Sequence, residues 1–178
     1  SPLFCVCDGM GGHAAGEVAS SIAVETIAKT APQSADAARL AAAVEAANAA
    51  VIEAALNGLG KPGMGCTATC AYIENDTLAI AHVGDSRAYL LHEGTLIRVT
   101  RDHSYVEELV DAGEITADEA RVHPNRSVIT RALGSDPAMY ADHFTLHIEE
   151  GDRLILCSDG LSSMIPDSDI ENIATQSS

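Results

Sequence analysis

The sequence predicts an α+β fold in which helices and antiparallel strands form a layered sandwich. Helical patterns come early, over 14–29 and 35–56, and return at the end, over 168–174. Between them lie closely spaced strand patterns rich in threonine and β-branched residues, separated by short turns. This order is typical of antiparallel sheets covered by helices and not of parallel β-α-β units. With 178 residues, the chain has the size of a single domain, and we expect one domain over 1–178.

The elements follow in order along the chain. A short apolar strand ends at Asp8, and the second long helix ends at Asn57-Gly58, a common helix C-terminal signal. Strands are predicted over 66–74, 77–83, 87–91 and 95–99, which we interpret as one antiparallel meander, and then over 128–133, 143–148 and 153–158. Two short polar helices, over 104–112 and 116–122, interrupt these strands and are typical of a surface flap.

Composition excludes several classes of function. Ten basic residues against 26 acidic ones give a formal net charge of −16, which repels nucleic acid and anionic membranes. No apolar run is long enough to span a bilayer. The five cysteines are odd in number and lack a Cys-x-x-Cys pair, so we expect reduced core thiols in a cytoplasmic protein. The cysteine and histidine spacing does not fit a zinc site.

Two strands end at an Asp-Gly pair, one near each end of the chain. Asp8-Gly9 follows the first apolar run, and Asp159-Gly160 follows the run over 153–158. Carboxylates at two strand tips, together with the Gly9 carbonyl, offer the oxygen ligands that Mg²⁺ and Mn²⁺ prefer. The alternative for each pair is an ordinary turn. Four glycines within residues 9–16 argue against a plain turn at Asp8, because so much backbone freedom is costly to order.

Asp85 is a third candidate ligand, in the segment Gly84-Asp85-Ser86-Arg87 that follows another apolar strand. Arg87 has two interpretations that we weigh equally. It binds a phosphate oxygen in a bidentate manner, or it forms a structural ion pair with Asp85.

Five motifs in this order resemble bacterial metal-dependent protein serine/threonine phosphatases of the type 2C class. The resemblance extends from Phe4 to about Ala174, and five ordered motifs are far more specific than any one of them. The motifs are Val6-Cys7-Asp8-Gly9-Met10-Gly11-Gly12-His13, Gly65-Cys66-Thr67-Ala68-Thr69, His82-Val83-Gly84-Asp85-Ser86-Arg87-Ala88-Tyr89, Arg131-Ala132-Leu133-Gly134 and Cys157-Ser158-Asp159-Gly160-Leu161.

The resemblance implies roles for individual residues. Asp8 matches the carboxylate that bridges two metal ions, Gly9 the residue that lends its carbonyl, and Asp159 a ligand of one ion. Asp85 matches a position associated with a third, weaker metal, and Ser127 a flap residue near that metal.

The resemblance also implies the fold and the reaction. The fold is a four-layer α-β-β-α sandwich of two antiparallel sheets flanked by helices, with a flap over about 102–127. The cofactors are Mn²⁺ or Mg²⁺, two in the family, and the substrates are phosphoproteins. A metal-activated water hydrolyses phosphoserine or phosphothreonine, and Asp8 and Asp159 are the residues expected to carry catalysis.

The sequence also departs from the family pattern. It lacks the family's first strand with its phosphate-binding arginine, and the last strand with its final aspartate, so we expect a domain truncated at both ends. The phosphate-binding residue is therefore unassigned, and fewer or weaker metal ions are expected. Exposed sheet edges pair with other chains, which predicts a homodimer. The alternative function is a weakly active or inactive module on this scaffold that binds partners or dimerises.

Overall fold

The computed structural model describes residues 2–176 and confirms the α+β sandwich. Nine strands and six helices occur within this part of the chain. The strands are β1 (Leu3–Val6), β2 (Gly9–Met10), β3 (Gly65–Cys66), β4 (Ala68–Glu74), β5 (Thr77–Val83), β6 (Arg87–His92), β7 (Thr95–Arg98), β8 (Asp142–His147) and β9 (Arg153–Cys157). The helices are α1 (His13–Thr30), α2 (Ala37–Leu56), α3 (Tyr105–Asp111), α4 (Ala117–Val122), α5 (Asp159–Ser162) and α6 (Asp167–Gln176).

The strands form two antiparallel sheets and one short extra pair. The first sheet has the order β1-β4-β5-β8, the second has the order β7-β6-β9, and β2 pairs with β3. The prediction of a single meander was wrong, because the β4–β5 hairpin lies in the first sheet and the β6–β7 hairpin in the second. The chain changes sheets at Gly84, whose φ of 106° is accessible mainly to glycine.

Four layers stack as the sequence resemblance implies. Helices α1 and α2 cover one face of the first sheet, and their contact surface is built from alanines with a few larger side chains such as Ile27 and Leu40. The second face of this sheet packs on the second sheet through Leu78, Ile80 and Ala88. Helix α6 closes the outer side, where Ile170 packs against Tyr89.

A single buried amide fixes α2 against the neighbouring loop. Asn48 is 1% exposed. Its Nδ2 donates to the carbonyl of Asp136 at 2.8 Å, and its Oδ1 accepts from the backbone N–H of Gly134 at 2.8 Å. Both ends of the amide are therefore satisfied in an otherwise apolar interface, as a buried polar group requires.

Two strand predictions were wrong for the same reason. In both segments, backbone N–H and C=O groups bond to distant parts of the chain and not to a continuous neighbouring strand. Residues 128–133 form no strand, only isolated bridges from Ile129 to Ser104 and from Leu133 to Cys66. The predicted strand over 66–74 is split at Thr67, whose N–H donates to the carbonyl of Asp8 at 2.9 Å.

The first turn contains a close backbone contact between β2 and α1. A β-carbon placed on Gly9 would lie 2.1 Å from the carbonyl oxygen of Gly16, a distance that no side chain accommodates. Glycine at both positions lets the strand pass directly over the helix. Within residues 2–176, no helix is both long and apolar enough to cross a membrane.

Candidate metal centre

Asp8 and Asp159 are neighbours in space, although 150 residues separate them in sequence. Asp8 follows β1, and Asp159 is the first residue of α5, directly after β9. Ser158 caps this short helix by accepting the N–H of Gly160 at 3.3 Å. Burial, together with a hydrogen bond and charge repulsion from Asp159, raises the pKa of Asp8 to about 6. A carboxylate pair of this kind shares a proton unless a cation neutralises it.

Asp85 adds a third carboxyl group to this region. It lies between β5 and β6 and is buried, with 8% of its surface exposed. Burial, with the charges of Asp159, Asp102 and Asp8, raises the pKa of Asp85 to about 7. Three carboxyl groups in a partly buried site supply the hard oxygen donors that fit Mg²⁺ or Mn²⁺.

Thr67 holds two of these turns together. The N–H of Asp8 donates to Thr67 Oγ1 at 3.0 Å, and the N–H of Thr67 donates back to the carbonyl of Asp8 at 2.9 Å. The same Oγ1 shares a hydrogen bond of 2.7 Å with Ser86 Oγ, next to Asp85. A β-carbon on Gly84 would lie 2.6 Å from Thr67 Cγ2, so the second turn is packed directly on this side chain. Thr67 therefore sets the separation of the Asp8 and Asp85 turns.

A buried histidine supports the Asp85 turn from the other side. The N–H of Gly84 donates to His103 Nδ1 at 2.9 Å, and the N–H of His103 donates to the carbonyl of Gly84 at 2.9 Å. Nδ1 is thus an acceptor, and Nε2 carries the proton that it donates to Asp142 at 2.8 Å. Arg131 in turn donates to Asp142 at 2.7 Å. Burial lowers the pKa of His103 and keeps the ring neutral, which suits this role.

A second buried histidine packs against the first. The ring centroids of His82 and His103 are 5.0 Å apart. His82 Nε2 donates to the carbonyl of Arg101 at 3.0 Å, and its Nδ1 accepts from Thr69 at 2.9 Å. Burial, together with the neighbouring His103, lowers the pKa of His82 to about 4. Both rings are therefore neutral structural groups.

A cleft of about 460 Å³ adjoins the carboxylates. Asp85, Asp159 and Ser127 all line it, so the structure brings these three predicted residues to one place. Gly9 is exposed on β2, one residue after Asp8, and pairs with Cys66. Helices α3 and α4 form one wall of the cleft, and no residue of α4 is buried.

Arg87 does not pair with Asp85, so that interpretation was wrong. Its Nη2 donates to Asp102 at 2.8 Å and its Nε donates to the same carboxylate at 3.0 Å. A further contact of 3.5 Å reaches Asp167. Arg98 is similarly engaged, with Asp102 at 2.9 Å and Glu107 at 3.0 Å. These two arginines of the cleft wall are held by carboxylates.

Two other arginines of the cleft were missed by the sequence analysis. Arg121 and Arg126 line the same cleft on the α4 side, and neither forms an ion pair within residues 2–176. The Nε of Arg121 is buried and, in that part of the chain, is the one buried side-chain polar atom without a hydrogen-bond partner. Arg126 donates to the carbonyl of His123 at 3.1 Å. The signal that could have indicated them in the sequence is two closely spaced arginines in a chain with few basic residues.

A second set of potential metal ligands lies elsewhere in the structure, with its ligand atoms close together. Among the described His, Cys, Asp and Glu side chains, only His92, Glu93 and Glu149 place three ligand atoms within 4.8 Å of one another. His92 Nδ1, however, is bound to Asp152 at 2.6 Å, and this hydrogen bond raises the pKa of His92.

Comparison with known proteins identifies the family. The family model described as Protein phosphatase 2C matches residues 1–178, and the chain belongs to this family. It is therefore a member of a family of enzymes.

The relatives include named phosphatases. The serine/threonine phosphatase Stp of Listeria welshimeri is 38% identical over 179 residues, which cover 97% of this chain and 71% of the relative. The crystal structure of the Mycobacterium tuberculosis serine/threonine phosphatase PstP/Ppp superimposes with a TM-score of 0.88 at 41% identity, covering 96% of this chain and 74% of that one. A catalytic domain of PstP solved with two manganese ions has a TM-score of 0.85 at 38% identity, with coverage of 96% and 73%.

Thr67→Val tests the anchoring of Asp8. Valine keeps the shape but removes the hydroxyl that binds the Asp8 N–H and Ser86, so we expect about tenfold weaker Mn²⁺ binding, in the range seen for groups that orient metal ligands. Isothermal titration calorimetry provides the measurement. Thr69→Val is the matched control, because Thr69 is equally buried but bonds His82 instead. Equal Mn²⁺ affinities of the two variants would contradict the role of Thr67.

Proposed function

We propose that this chain hydrolyses phosphoserine and phosphothreonine in proteins with the help of bound Mn²⁺ or Mg²⁺. The observation that carries the proposal is the contact between Asp8 and Asp159 at the ends of two strands, beside a cleft that also contains Asp85. Membership of the phosphatase 2C family and the manganese ions of the PstP structure support the same conclusion.

The residues have distinct parts in this proposal. Asp8, the Gly9 carbonyl and Asp159 hold the metal ions, and Asp85 and Ser127 lie where a further ion would bind. When bound, such ions lower the pKa of a water molecule and neutralise charge on the phosphoryl oxygens. Thr67 and His103 keep the carboxylates in place through the backbone contacts described above.

Arg121 and Arg126 are the best candidates for contacting the substrate phosphate. Their guanidinium groups have no carboxylate partner within residues 2–176, whereas Arg87 and Arg98 are occupied. The cleft is otherwise rich in carboxylates, so an anionic phosphoryl group needs nearby cations to enter it. The segment over 102–127 then forms a flap that brings these cations to the substrate.

A homodimer is the arrangement we propose for the open side of the sandwich. Strands β1 and β9 are each one of the two edge strands of their sheets, and they lie on the same side of the molecule. An apolar groove of about 640 Å³ opens beside them, lined by Leu3, Phe4, Cys5, Val6, Ile73, Leu154 and Leu156. Edge strands beside an apolar groove favour pairing with a second copy of the chain.

The cytoplasmic location and the truncation stay predictions. No contact among residues 2–176 favours the alternative of an inactive binding module.

Asp8→Asn and Asp159→Asn test the metal centre. With a phosphothreonine peptide and titrated Mn²⁺, we expect saturable turnover that EDTA abolishes. Each substitution should lower kcat/KM by at least about 100-fold, because metal ions stabilise transition-state charge by several kcal/mol. Glu93→Gln is the control, since it alters the other acidic group. The proposal would be contradicted if the unmodified chain showed no turnover. It would also be contradicted if Glu93→Gln abolished turnover while Asp8→Asn and Asp159→Asn did not.

Arg121→Gln and Arg126→Gln test phosphate recognition by the flap. Each should raise KM for the phosphopeptide about tenfold, the effect of one hydrogen bond to a charged group. Stability should change little, because Arg126 is exposed and Arg121 is only partly buried, with a buried Nε that has no hydrogen-bond partner to lose in the described part of the chain. Arg39→Gln is the control, as Arg39 is exposed on α2 and, among the described residues, its one ion pair is with Asp36. An unchanged KM in both variants would show that these arginines do not contact the substrate phosphate. The proposed reaction would still stand.

Phe4→Glu tests the dimer. Phe4 is 47% exposed in the groove, and a charge there should convert the expected dimer to a monomer in sedimentation-velocity analysis. Leu56→Glu is the matched control, because Leu56 is an exposed apolar residue, 82% accessible, at the end of α2. A monomeric unmodified chain would refute the dimer.

A further inference from the structure

Four of the five cysteines form one continuous row of sulfur atoms. Cys5 Sγ lies 3.0 Å from Cys70 Sγ and 3.5 Å from Cys7 Sγ. Cys7 is in turn hydrogen bonded to Cys66, whose thiol also donates to the carbonyl of Ala19 at 3.8 Å. Simple core packing does not require small side chains of a single, reactive type to meet in this way.

The row lies in the strand pair that leads into the metal centre. Cys5 and Cys70 are direct partners across the β1–β4 ladder, and Cys7 precedes Asp8. Cys66 precedes Thr67, which holds the backbone of Asp8. A shift of the backbone at these cysteines therefore acts on the same two segments that place Asp8.

We infer that Cys5 and Cys70 are a modification site, at which a peroxide converts the two thiols into a disulfide. Residues opposite each other on antiparallel strands have Cα atoms about 4.5–5.5 Å apart, within the range that a disulfide spans. Cys5 and Cys7, two residues apart on extended backbone, have Cα atoms separated by about 6.8 Å, at the far limit of that range. Cross-strand geometry thus selects Cys70 over Cys7 as the partner of Cys5.

Access distinguishes Cys5 from Cys70 but not from Cys7, which is also only partly buried. Cys70 is 0% exposed, whereas Cys5 is only partly buried because β1 is an edge strand. The Cys5 side chain packs on the α1 side of the sheet with Leu3 and Cys7, and Cys5 also lines the groove at which a second copy is proposed to pair, so peroxide reaches it past the strand edge in the unpaired chain.

The reaction balances with hydrogen peroxide as the oxidant. The sulfur of Cys5 attacks one peroxide oxygen, an S–O bond forms, the O–O bond breaks, and the departing hydroxide takes the thiol proton as water. The sulfur of Cys70 then attacks Cys5, an S–S bond forms, the S–O bond breaks, and the second hydroxide takes the Cys70 proton as water. Two thiols are oxidised to one disulfide, and one peroxide is reduced to two waters.

Disulfide formation shortens the sulfur separation from 3.0 Å to about 2.05 Å. The approach of about 1 Å has to come from β1, β4 or their side-chain rotamers. Asp8 is three residues after Cys5 and moves with β1, and displacements of this size at a catalytic centre cost large factors in rate. We therefore expect the disulfide to lower Mn²⁺-dependent turnover, a consequence that rests on the proposed function.

Thiol mapping tests the site without reference to activity. The reduced chain is treated with hydrogen peroxide at pH 8, free thiols are alkylated in denaturant, and fragments are mapped by mass spectrometry. We expect the number of alkylated cysteines to fall from five to three, with fragment ions that join Cys5 to Cys70, and dithiothreitol to restore all five. Five free thiols, a link through Cys7 or Cys66, or cysteines oxidised only to sulfinic acid would overturn the inference.

Two variants sharpen the test. Cys70→Ala should remove the link, and Cys157→Ala, which alters the cysteine of the second sheet, should leave it unchanged. Circular dichroism of both variants establishes that they fold. In the oxidised chain, turnover should fall about tenfold and return with dithiothreitol, while oxidised Cys70→Ala should keep its rate. If the disulfide forms and turnover is unchanged, the coupling to Asp8 is wrong.

Discussion

Repulsion among carboxylates is the constraint on which this structure depends. Asp8, Asp85 and Asp159 come from three different parts of the chain, and burial together with the charge of Asp159 raises the pKa of both Asp8 and Asp85, so these groups resist being brought together. The fold overcomes this repulsion with backbone contacts near each group. Thr67 holds Asp8, His103 holds the turn before Asp85, and Ser158 caps the helix that starts at Asp159. A bound cation would relieve the repulsion among these carboxylates, and this repulsion therefore favours metal binding.

Neutral polar side chains carry out this anchoring, and their neutrality matters. A charged lysine or arginine beside Asp8 or Asp85 would pair with the carboxylate and compete with the metal. The arginines of the cleft wall, Arg87 and Arg98, instead pair with Asp102 and Glu107. The neighbourhood of the three carboxylates therefore stays available for a cation, and the two arginines without carboxylate partners lie toward the flap.

The sequence was informative about this protein where local signals agree with the tertiary structure. The strand ends at Asp8, Asp85 and Asp159 and the long helices were predicted correctly, because apolar periodicity and glycine-rich turns determine them locally. The segment over 128–133 was misassigned, since its bonds go to Ser104, His103 and Cys66, and no local pattern reveals them. The anchoring by Thr67 and the row of cysteines likewise depend on contacts between residues some 60 positions apart.

Asn48 has a consequence for how the long helix finds its place. The interface of α2 is made largely of alanines, and surfaces of small, similar side chains match one another in several registers. Sliding α2 by one turn would move Leu40, Val44 and Val51 out of their contacts. It would also leave the Asn48 amide and the backbone groups of Gly134 and Asp136 without partners. Each such orphaned group costs about 1–3 kcal/mol. One amide thus helps to fix the register of this alanine-rich helix against the loop that contains Gly134 and Asp136.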